Sequence, residues 1–513
     1  MALHLYDTLS TKLKPLTMRR PGEVGVYCCG PTTYDVAHIG HARAALAPDI
    51  LVRHLRAQGL NVTYVRNVTD VDDKILKRAT ESGTPPMELS ARFAGEYQRD
   101  MGELGCAPPD HEPKVSENIG EIVAIITTLV DNGAAYVVDM PSGARDVYYA
   151  VRAFAGYGKL SKRNVDDLRV GARVEASDDK KDPLDFALWK GCVGDAWGWA
   201  SPWGKGRPGW HIECSAMSDR YLGHGMEVHC GGMDLVFPHH ENEIAQSEAA
   251  HPGEGDFARI WMHNGFVNID KEKMAKSLGN FVTVRQALER NDAEAIRFFL
   301  LGVQYRGPIG FDTDKLASGR VVFPGICEAE RRVDYIYLGL ARANELAARA
   351  SGDEPQKTPK DLAPFALLAK AARGRVDAAL DDDLNTPVAL AVLGEVASAA
   401  HELAELANKR KKDAELQRAA PFVARAIAAA VASCAAPLGL LVAPQAVYVE
   451  RTQARRLALY GLTPAGIEGR LADRAAARAA KDFAKGDAIR KELEAAGVEV
   501  ADGPTGTTWR ALA

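Results

Sequence analysis

A strand, a turn, a helix and a second strand open the chain, and this succession constrains its fold more than any other feature. Residues 25–29 form an apolar strand, Gly30 and Pro31 suit a turn, residues 42–59 suit a helix, and residues 62–68 form a β-branched strand. A helical crossover brings the second strand back parallel to the first. The opening of the chain therefore predicts an α/β domain with a parallel sheet.

Two short motifs in this framework point to nucleotide chemistry. His38, Gly40 and His41 belong to an H-x-G-H pattern where the first turn enters the helix. Backbone N–H groups and the helix dipole favour phosphate there. About 230 residues later, Lys273 and Lys276 lie in a stretch that suits a loop over a triphosphate, because lysine carries a point charge on a flexible stem. Each motif alone also fits an ordinary surface; together they predict a site that activates a carboxylate with ATP.

Bulk properties exclude several classes of protein. At 513 residues, with 47% hydrophobic and 26% charged residues, the chain is expected to fold into three to five globular modules. We expect no signal peptide and no membrane span, because no uninterrupted apolar run reaches about 18 residues. A net charge of −5 argues against a simple basic nucleic-acid binder. Eight cysteines without C-x-x-C spacing indicate reduced thiols or metal ligands, and we expect a cytoplasmic protein.

The rest of the chain divides by pattern. Residues 131–200 carry short strands, charge runs and turns, which predict an insertion between two halves of the sheet. Ala/Leu-rich helical spacing over residues 333–437 predicts a packed bundle, with one helix beginning at Thr386 as cap and Pro387 as first helical residue. The tail combines helices around residues 470–496 with the short segments 497–500, 502–504 and 507–510, which predicts a small module.

Cysteine, histidine and glutamate residues suggest a metal site. His239 and Glu243 are four positions apart, so they share one face of a helix. Cys214 and either Cys28 or Cys29 could add thiolates, and a Cys/Cys/His/Glu set suits zinc by ligand softness. The two cysteines of the first strand point to opposite faces, so both cannot easily bind one ion. The alternative is that Cys214 fills the core and that His239 and Glu243 hydrogen-bond within their helix.

The chain resembles the cysteinyl-tRNA synthetases, a family of class I aminoacyl-tRNA synthetases, along essentially its whole length. The segments that carry the resemblance are 30–41, 67–74, 208–217, 237–243, 273–280, 381–387 and 502–509. The W-H-I-E-C and F-P-H-H-E-N-E sequences among them are highly specific to this family. The resemblance implies a Rossmann-like parallel-sheet catalytic domain with an inserted connective peptide, followed by a helical bundle and a small C-terminal α+β module. The implied boundaries are 1–130 and 201–267 for the catalytic halves, 131–200 for the insertion, 268–325 for the signature loop and stem-contact region, 326–445 for the bundle and 446–513 for the anticodon-binding module.

The resemblance also implies how the amino acid is chosen. One zinc ion is held by Cys29, Cys214, His239 and Glu243, and it binds the thiolate of the substrate cysteine. A cysteine thiol has an ordinary pKa of about 8.5, whereas a serine hydroxyl is harder and far less acidic. Since an apolar pocket distinguishes small groups by only about 1–3 kcal/mol, a metal–sulfur bond removes the need for editing.

The same resemblance implies the roles of the remaining residues. Trp210 and Thr69 line the cysteine pocket. His38, Gly40, His41, Lys273 and Lys276 bind ATP or stabilise charge as the cysteine carboxylate attacks the α-phosphate, with Mg²⁺ present. The residues expected to read the anticodon of tRNA(Cys) are Arg478, Asp487, Asp502 and Trp509.

Two positions depart from the family pattern, and two other functions remain possible. Ala275 replaces a serine of the signature, and Cys230 replaces a glycine, which adds a thiol near the predicted metal. One alternative is a cysteine–amino-sugar ligase that shares the catalytic core but lacks the tRNA-reading tail. The other is a non-catalytic zinc-containing RNA-binding protein, which the intact motif residues disfavour. We expect a monomer that uses L-cysteine, ATP and tRNA(Cys).

Overall fold

The structure is a computed structural model. It describes residues 3–164, 179–194, 196–269, 272–273, 281–315, 319, 321–503 and 506–512, with only the backbone at 269, 272, 273 and 503. Lys276 and Ala275 lie outside the described residues.

The first part of the chain forms the predicted parallel strand pair. Its elements are β1 (His4–Asp7), β2 (Lys12–Pro15), β3 (Glu23–Cys28), α1 (Ile39–Ala57), β4 (Asn61–Arg66), α2 (Asp73–Ser82), α3 (Pro86–Glu103) and α4 (Ile119–Asp131). β1 and β2 form an antiparallel hairpin. β3 pairs in parallel with β4, in a register from Glu23 opposite Asn61 to Cys28 opposite Arg66. The predicted strand–helix–strand unit is therefore confirmed.

An antiparallel sheet separates this unit from the rest of the parallel sheet along the chain. It contains β5 (Ala135–Asp139), β6 (Arg145–Tyr149), β7 (Phe186–Gly191) and β8 (Gly206–Pro208), in that spatial order. The chain then continues through α5 (Trp210–Leu222), β9 (Met226–Gly232), a π-type turn at Val236–His240, α6 (Glu241–Ala250) and β10 (Ala258–Asn264). β9 and β10 complete a four-stranded parallel sheet in the order β10-β9-β3-β4.

Both faces of the parallel sheet are buried, as expected for a sheet covered by helical crossovers. Val26 and Cys28 of β3 face one apolar cluster, which also contains Val228 and Ile260. Tyr27 faces the other cluster, which contains residues of α5 and α6. Side chains alternate along a strand. Cys28 therefore faces the same cluster as Val26, and Cys29 faces the same cluster as Tyr27.

A small mixed segment follows the sheet. It contains β11 (Val267–Ile269), β12 (Glu272–Lys273), α7 (Val284–Leu288), α8 (Ala293–Leu301), β13 (Ile309–Phe311), β14 (Asp314–Lys315) and β15 (Val321–Val322). β11 pairs antiparallel with β12 and parallel with β13. α8 begins after Asp292, whose side chain accepts a hydrogen bond from the N–H of Glu294 and so caps the helix.

The predicted helical bundle is present. Its helices are α9 (Pro324–Ala347), α10 (Ala363–Asp381), α11 (Thr386–Lys409) and α12 (Ala414–Ala435), followed by α13 (Gln445–Tyr460). The prediction that Thr386 caps α11 is wrong. Asn385 is the cap, because its side-chain oxygen accepts a hydrogen bond from the N–H of Val388. The Thr386 hydroxyl donates instead to the carbonyl oxygen of Leu301, at 2.8 Å.

Two bundle helices are long and apolar enough to cross a membrane, judged by length and composition alone. These are Thr386–Lys409 and Ala414–Leu438, and 56% and 61% of their apolar windows are buried inside the structure. Counting uninterrupted apolar residues in the sequence did not reveal them. Their apolar character is accounted for by packing in the core of the bundle, where Leu393, Val396, Ile427 and Val431 are buried.

The tail forms the predicted small α+β unit. It contains α14 (Pro464–Ala479), α15 (Phe483–Ala495), β16 (Val498–Gly503) and β17 (Gly506–Ala511), with the two strands paired antiparallel. The core of this unit consists of Leu457, Ile467, Ile489, Leu493, Val498, Val500 and Ala511.

Candidate active site

Four predicted metal ligands from four parts of the chain converge at the carboxyl end of the parallel sheet. Cys29 directly follows β3, Cys214 lies in α5, and Glu243 lies in the first turn of α6. His239 belongs to the π-type turn before α6 rather than to the helix itself. One donor atom from each residue lies within 4.8 Å of every other, so the structure brings the four predicted donors together.

The distances within this cluster are short. Cys29 Sγ lies 3.6 Å from Cys214 Sγ, 3.7 Å from His239 Nε2 and 3.5 Å from Glu243 Oε1. His239 Nε2 lies 2.9 Å from Glu243 Oε1. Cys214, His239 and Glu243 are buried, whereas Cys29 is half-buried and forms the more open side of the cluster.

The other two cysteines near the sheet face away from the cluster. Cys28 and Cys230 lie opposite each other in the β3–β9 pairing, and both side chains are in the apolar cluster behind the sheet. Cys230 Sγ lies 3.9 Å from Met262 Sδ. The preceding residue, His229, is the one whose side chain reaches Cys29 Sγ, at 3.5 Å. The Cys230 side chain therefore lies in the core on the other face of the sheet, while its carbonyl oxygen accepts a hydrogen bond from the N–H of Cys29 at 3.2 Å.

Two further histidines contact the cluster, and sequence reasoning missed both of them. His229 and His240, with Cys29 and Glu243, form a second set of donors within 4.8 Å of one another. His229 Nε2 lies 3.3 Å from Glu243 Oε2, and His240 Nε2 lies 3.4 Å from Cys29 Sγ. Adjacency to His239 was the one local signal for His240. His229 lies in β9, and no regular spacing in the sequence connects it to the four predicted ligands.

Burial controls the protonation of the cluster. It lowers the pKa of His229 and of His240 well below the usual value, so both imidazoles are neutral and can act as ligands or hydrogen-bond partners. Burial raises the pKa of Glu243 and of Cys29, whereas the hydrogen bond from the Cys29 thiol lowers the pKa of Cys214 to about 7. Cys214 is therefore the thiol of the cluster that loses its proton most readily near neutral pH.

This donor set fits a borderline-soft divalent metal ion. Two sulfurs, an imidazole nitrogen and a carboxylate oxygen are the ligand types that such ions take in proteins. A buried thiolate beside a buried carboxylate is costly unless a cation compensates for it. The residues present thus suit a bound metal ion by both ligand chemistry and charge.

The two predicted pocket residues lie beside the cluster. The Trp210 ring, at the start of α5, stacks on His239 with 4.3 Å between ring centroids. The Thr69 hydroxyl donates to Glu213 Oε2 at 3.2 Å and accepts from Asn67 Nδ2 at 3.2 Å. Sequence reasoning assigned no role to Asn67 or Glu213, although both lie in motifs that it quoted.

Asn67 links this pocket to the turn that carries Cys29. Its side-chain oxygen accepts a hydrogen bond from the N–H of Gly30 at 2.8 Å, and the Cys214 thiol lies 3.7 Å from the same oxygen. The turn after β3 and the turn after β4 therefore meet directly. A shift of either one would move a candidate metal ligand relative to Thr69.

The two motif histidines lie where they were predicted, at the N-terminus of α1. His38 is the N-cap, its N–H donates to His41 Nδ1 at 3.2 Å, and the two rings stack with 3.8 Å between centroids. Backbone hydrogen bonds tie this end of α1 to residues 282–284, which follow the lysine motif. Lys273 is described only through its backbone in β12, so the predicted position of the two lysines over ATP stays a prediction.

In the tail, the predicted anticodon residues divide into two groups. Asp502 accepts hydrogen bonds from Arg478 at 3.1 Å and from both Nη atoms of Arg474 at 2.8 and 2.7 Å. Trp509 packs against the core of the unit, and Asp487 is exposed on α15. The structure thus joins Arg478 to Asp502. It also adds Arg474, which sequence reasoning did not single out.

Three parts of the chain match known families. Residues 15–320 match the family "tRNA synthetases class I (C) catalytic domain", residues 375–442 match the "DALR domain", and residues 462–510 match "Cysteinyl-tRNA ligase anticodon binding domain".

Curated relatives are similar over the full length. A cysteine–tRNA ligase of Anaeromyxobacter sp. (strain K) is 50% identical over 516 residues, covering 99% of this chain and 100% of the relative. Another, from Geobacter metallireducens, is 45% identical with the same coverage.

Solved structures share the fold. The methionyl-tRNA synthetase of Mycobacterium tuberculosis in complex with methionyl-adenylate has a TM-score of 0.62 at 15% identity, covering 86% of this chain and 94% of that one. A leucyl enzyme from Agrobacterium radiobacter, in a ternary complex, has a TM-score of 0.59 at 13% identity, covering 83% of this chain and 85% of that one. At these identities the likeness shows the class I synthetase fold alone.

Proposed function

The chain belongs to the family of cysteinyl-tRNA ligases, class I synthetases that join cysteine to tRNA(Cys) at the expense of ATP, and we propose that it selects its amino acid at the cluster of Cys29, Cys214, His239 and Glu243. The observation that carries this proposal is the convergence of these four donors at the carboxyl end of the parallel sheet. In open α/β sheets, substrates bind at that end of the strands.

The metal proposed for the cluster is zinc, one ion per chain. Its ligands are Cys29, Cys214, His239 and Glu243. His229 contacts the Glu243 carboxylate, and His240 contacts the Cys29 thiol. When bound there, zinc would stabilise the thiolate of the substrate cysteine, a ligand that serine cannot supply. A set with two thiolates suits zinc better than the alternative set built on His229 and His240, which keeps only one.

The residues beside the cluster shape the amino-acid pocket. Trp210 covers His239 with its ring and so forms an apolar wall next to the metal ligands. Thr69 is held between Asn67 and Glu213, which fixes the orientation of its hydroxyl. A side chain locked by neighbouring hydrogen bonds can position a substrate without losing rotamer entropy when the substrate binds.

Activation is assigned to the two signature motifs. The cysteine carboxylate attacks the α-phosphate of ATP, pyrophosphate leaves with Mg²⁺, and the adenylate carries the cysteinyl group. His38, Gly40 and His41 would bind the phosphates at the N-terminus of α1, and Lys273 and Lys276 would stabilise the developing charge. Loss of one such group is expected to slow activation on the order of 10²–10³-fold.

Transfer to tRNA(Cys) is assigned to the full chain. The match of residues 462–510 to an anticodon-binding family supports this assignment over the cysteine–amino-sugar ligase, and the catalytic-domain match disfavours a non-catalytic RNA-binding protein. Within this module Arg478, Asp487, Asp502 and Trp509 are the proposed anticodon contacts. We further propose a cytoplasmic monomer that acts away from membranes.

Two cysteine variants test the metal assignment. Cys214→Ser should lose zinc and cysteine-dependent exchange of pyrophosphate into ATP, while ATP still binds. Cys230→Ser is the matched control, because it changes an equally buried thiol on the opposite face of the sheet. Unchanged zinc content in Cys214→Ser, or equal loss of zinc in both variants, would refute the assigned ligand set.

A further inference from the structure

A buried guanidinium at the end of the bundle connects three separate parts of the chain. Arg456 in α13 is 5% exposed. Its Nε and Nη2 donate to Glu330 Oε1 in α9 at 3.0 and 2.7 Å, and Nη2 also donates to Asp334 Oδ1 at 2.9 Å. Its Nη1 donates to the carbonyl oxygen of Ala511, in the last strand, at 3.1 Å. One side chain therefore holds α9, α13 and β17 together.

Glu330, which accepts the hydrogen bonds from Arg456, also contacts the segment that leads into α8. Glu330 is 1% exposed, and its second oxygen accepts from Asn291 Nδ2 at 2.9 Å and from the N–H of Asp292 at 3.3 Å. Asp292 is the N-cap of α8. The segment just before it contains α7 and residues 282–284, which are hydrogen-bonded to the N-terminus of α1. Glu330 thus joins the bundle to the part of the chain that adjoins the proposed ATP site.

Neighbouring residues hold α13 in one orientation on the bundle. Arg451 donates to both oxygens of Asp292, at 2.7 and 2.9 Å. The Tyr448 hydroxyl donates to Asp334 at 2.7 Å, and the Tyr448 ring stacks on Tyr337 with 4.0 Å between centroids. These contacts come from successive turns of the helix, so α13 is fixed along its length and not only at one point.

The C-terminal unit depends on α13 for its attachment. Among the described residues, its apolar core contains nothing earlier in the chain than Leu457, the residue after Arg456. Ala511, which accepts the hydrogen bond from Arg456, is part of that core and pairs with Val498. Arg456 therefore lies where a charged contact can set the angle between the unit and the bundle.

We propose that Arg456 is a positioning residue for tRNA, which orients the anticodon-binding unit relative to the catalytic domain. The proposal rests on the function proposed above and deepens it. A tRNA must contact this unit and present its 3′ end to the adenylate at the same time. Binding of the anticodon to the unit raises the effective concentration of the tRNA 3′ end at the active site. This gain is lost if the orientation of the unit is not fixed.

The test compares two partial reactions in variants of the full chain. Arg456→Met removes every contact, and Arg456→Lys keeps the charge but cannot reach Glu330 and Ala511 together. For Arg456→Met we expect cysteine-dependent pyrophosphate exchange within about twofold of wild type and a kcat/KM for tRNA charging about tenfold lower, with Arg456→Lys in between. Arg349→Met is the matched control: Arg349 pairs with Glu345 at the end of α9, is exposed, and should leave both reactions unchanged.

A tRNA with an altered anticodon separates positioning from general stability. The wild-type enzyme should charge it less well than tRNA(Cys), and Arg456→Met should show a smaller difference between the two tRNAs. Equal losses of exchange and charging would mean that Arg456 only stabilises the fold, and unchanged charging would also overturn the proposal. If wild-type protein fails to exchange pyrophosphate with cysteine, the proposed function is wrong, whatever the variants show.

Discussion

Gly30 lies where the turn that carries Cys29 comes into close contact with the backbone of Asn67. A Cβ built on it would lie 1.6 Å from the carbonyl oxygen of Asn67 and 2.7 Å from the carbonyl carbon, where real Cβ atoms do not come closer than 3.0 Å. Both obstructing atoms are backbone, so no side chain can rotate away. In Gly30→Ala, the turn that carries Cys29 and the turn that carries Thr69 must therefore separate by about 1.4 Å.

This displacement is large compared with what a metal site tolerates. Metal–ligand distances are held within about 0.2 Å, and a misplacement of about 1 Å can cost on the order of 10² in rate. We expect Gly30→Ala to weaken zinc binding on the order of 10²-fold and to lower cysteine-dependent pyrophosphate exchange by a similar factor. Forced overpacking should also reduce the free energy of unfolding by about 1–3 kcal/mol.

Zinc per chain after dialysis, measured by mass spectrometry, and pyrophosphate exchange check this expectation. Gly95→Ala in α3 is the control, because a Cβ there meets nothing within 4 Å. It should keep zinc and activity, and should gain about 0.5–1 kcal/mol of stability. A Gly30→Ala enzyme with a full complement of zinc and normal exchange would refute the reasoning that links this turn to the metal site.

Three further perturbations have defined outcomes. Deleting residues 462–513 should leave pyrophosphate exchange intact but lower tRNA charging on the order of 10²-fold; equal charging would exclude a role of the tail. Arg297→Met removes a buried partner of Asp49. Urea denaturation should show that the free energy of unfolding falls by about 3 kcal/mol, the low end of the cost of breaking a buried ion pair, because Arg53 still pairs with Asp49. Hydrogen bonds from Arg474 and Thr507 lower the pKa of Asp502, so its contribution to stability is present above pH 4 and is lost as the pH falls further; Asp502→Asn should remove this acid dependence of unfolding.

Local patterns predicted the elements that carry the motifs. The parallel pair of β3 and β4 and the helices of the bundle were accessible because strand and helix periods and turn residues are local signals. The error at Thr386 arose where two adjacent residues could both cap a helix. Pro387 as a first helical residue favoured Thr386, but proline is also accommodated one position further into the first turn, and the helix starts where the Asn385 oxygen reaches the N–H of Val388.

The candidate site was only partly accessible from the sequence. The four metal donors came from the resemblance together with the spacing of His239 and Glu243. His229 was missed because it reaches the cluster from the adjacent strand β9, a contact that depends on sheet order. Arg456 gave no signal either, since its partners lie more than 50 positions away in the chain.

Direct observation of the metal with its substrate tests the central claim, that sulfur bonded to a protein-held zinc ion distinguishes cysteine. X-ray absorption at the zinc edge would be measured on the enzyme alone, with cysteine and with serine. We predict that cysteine adds one sulfur at about 2.3 Å to the zinc shell and that serine leaves the shell unchanged. An identical sulfur count in all three samples, from an enzyme that activates cysteine, would contradict the account.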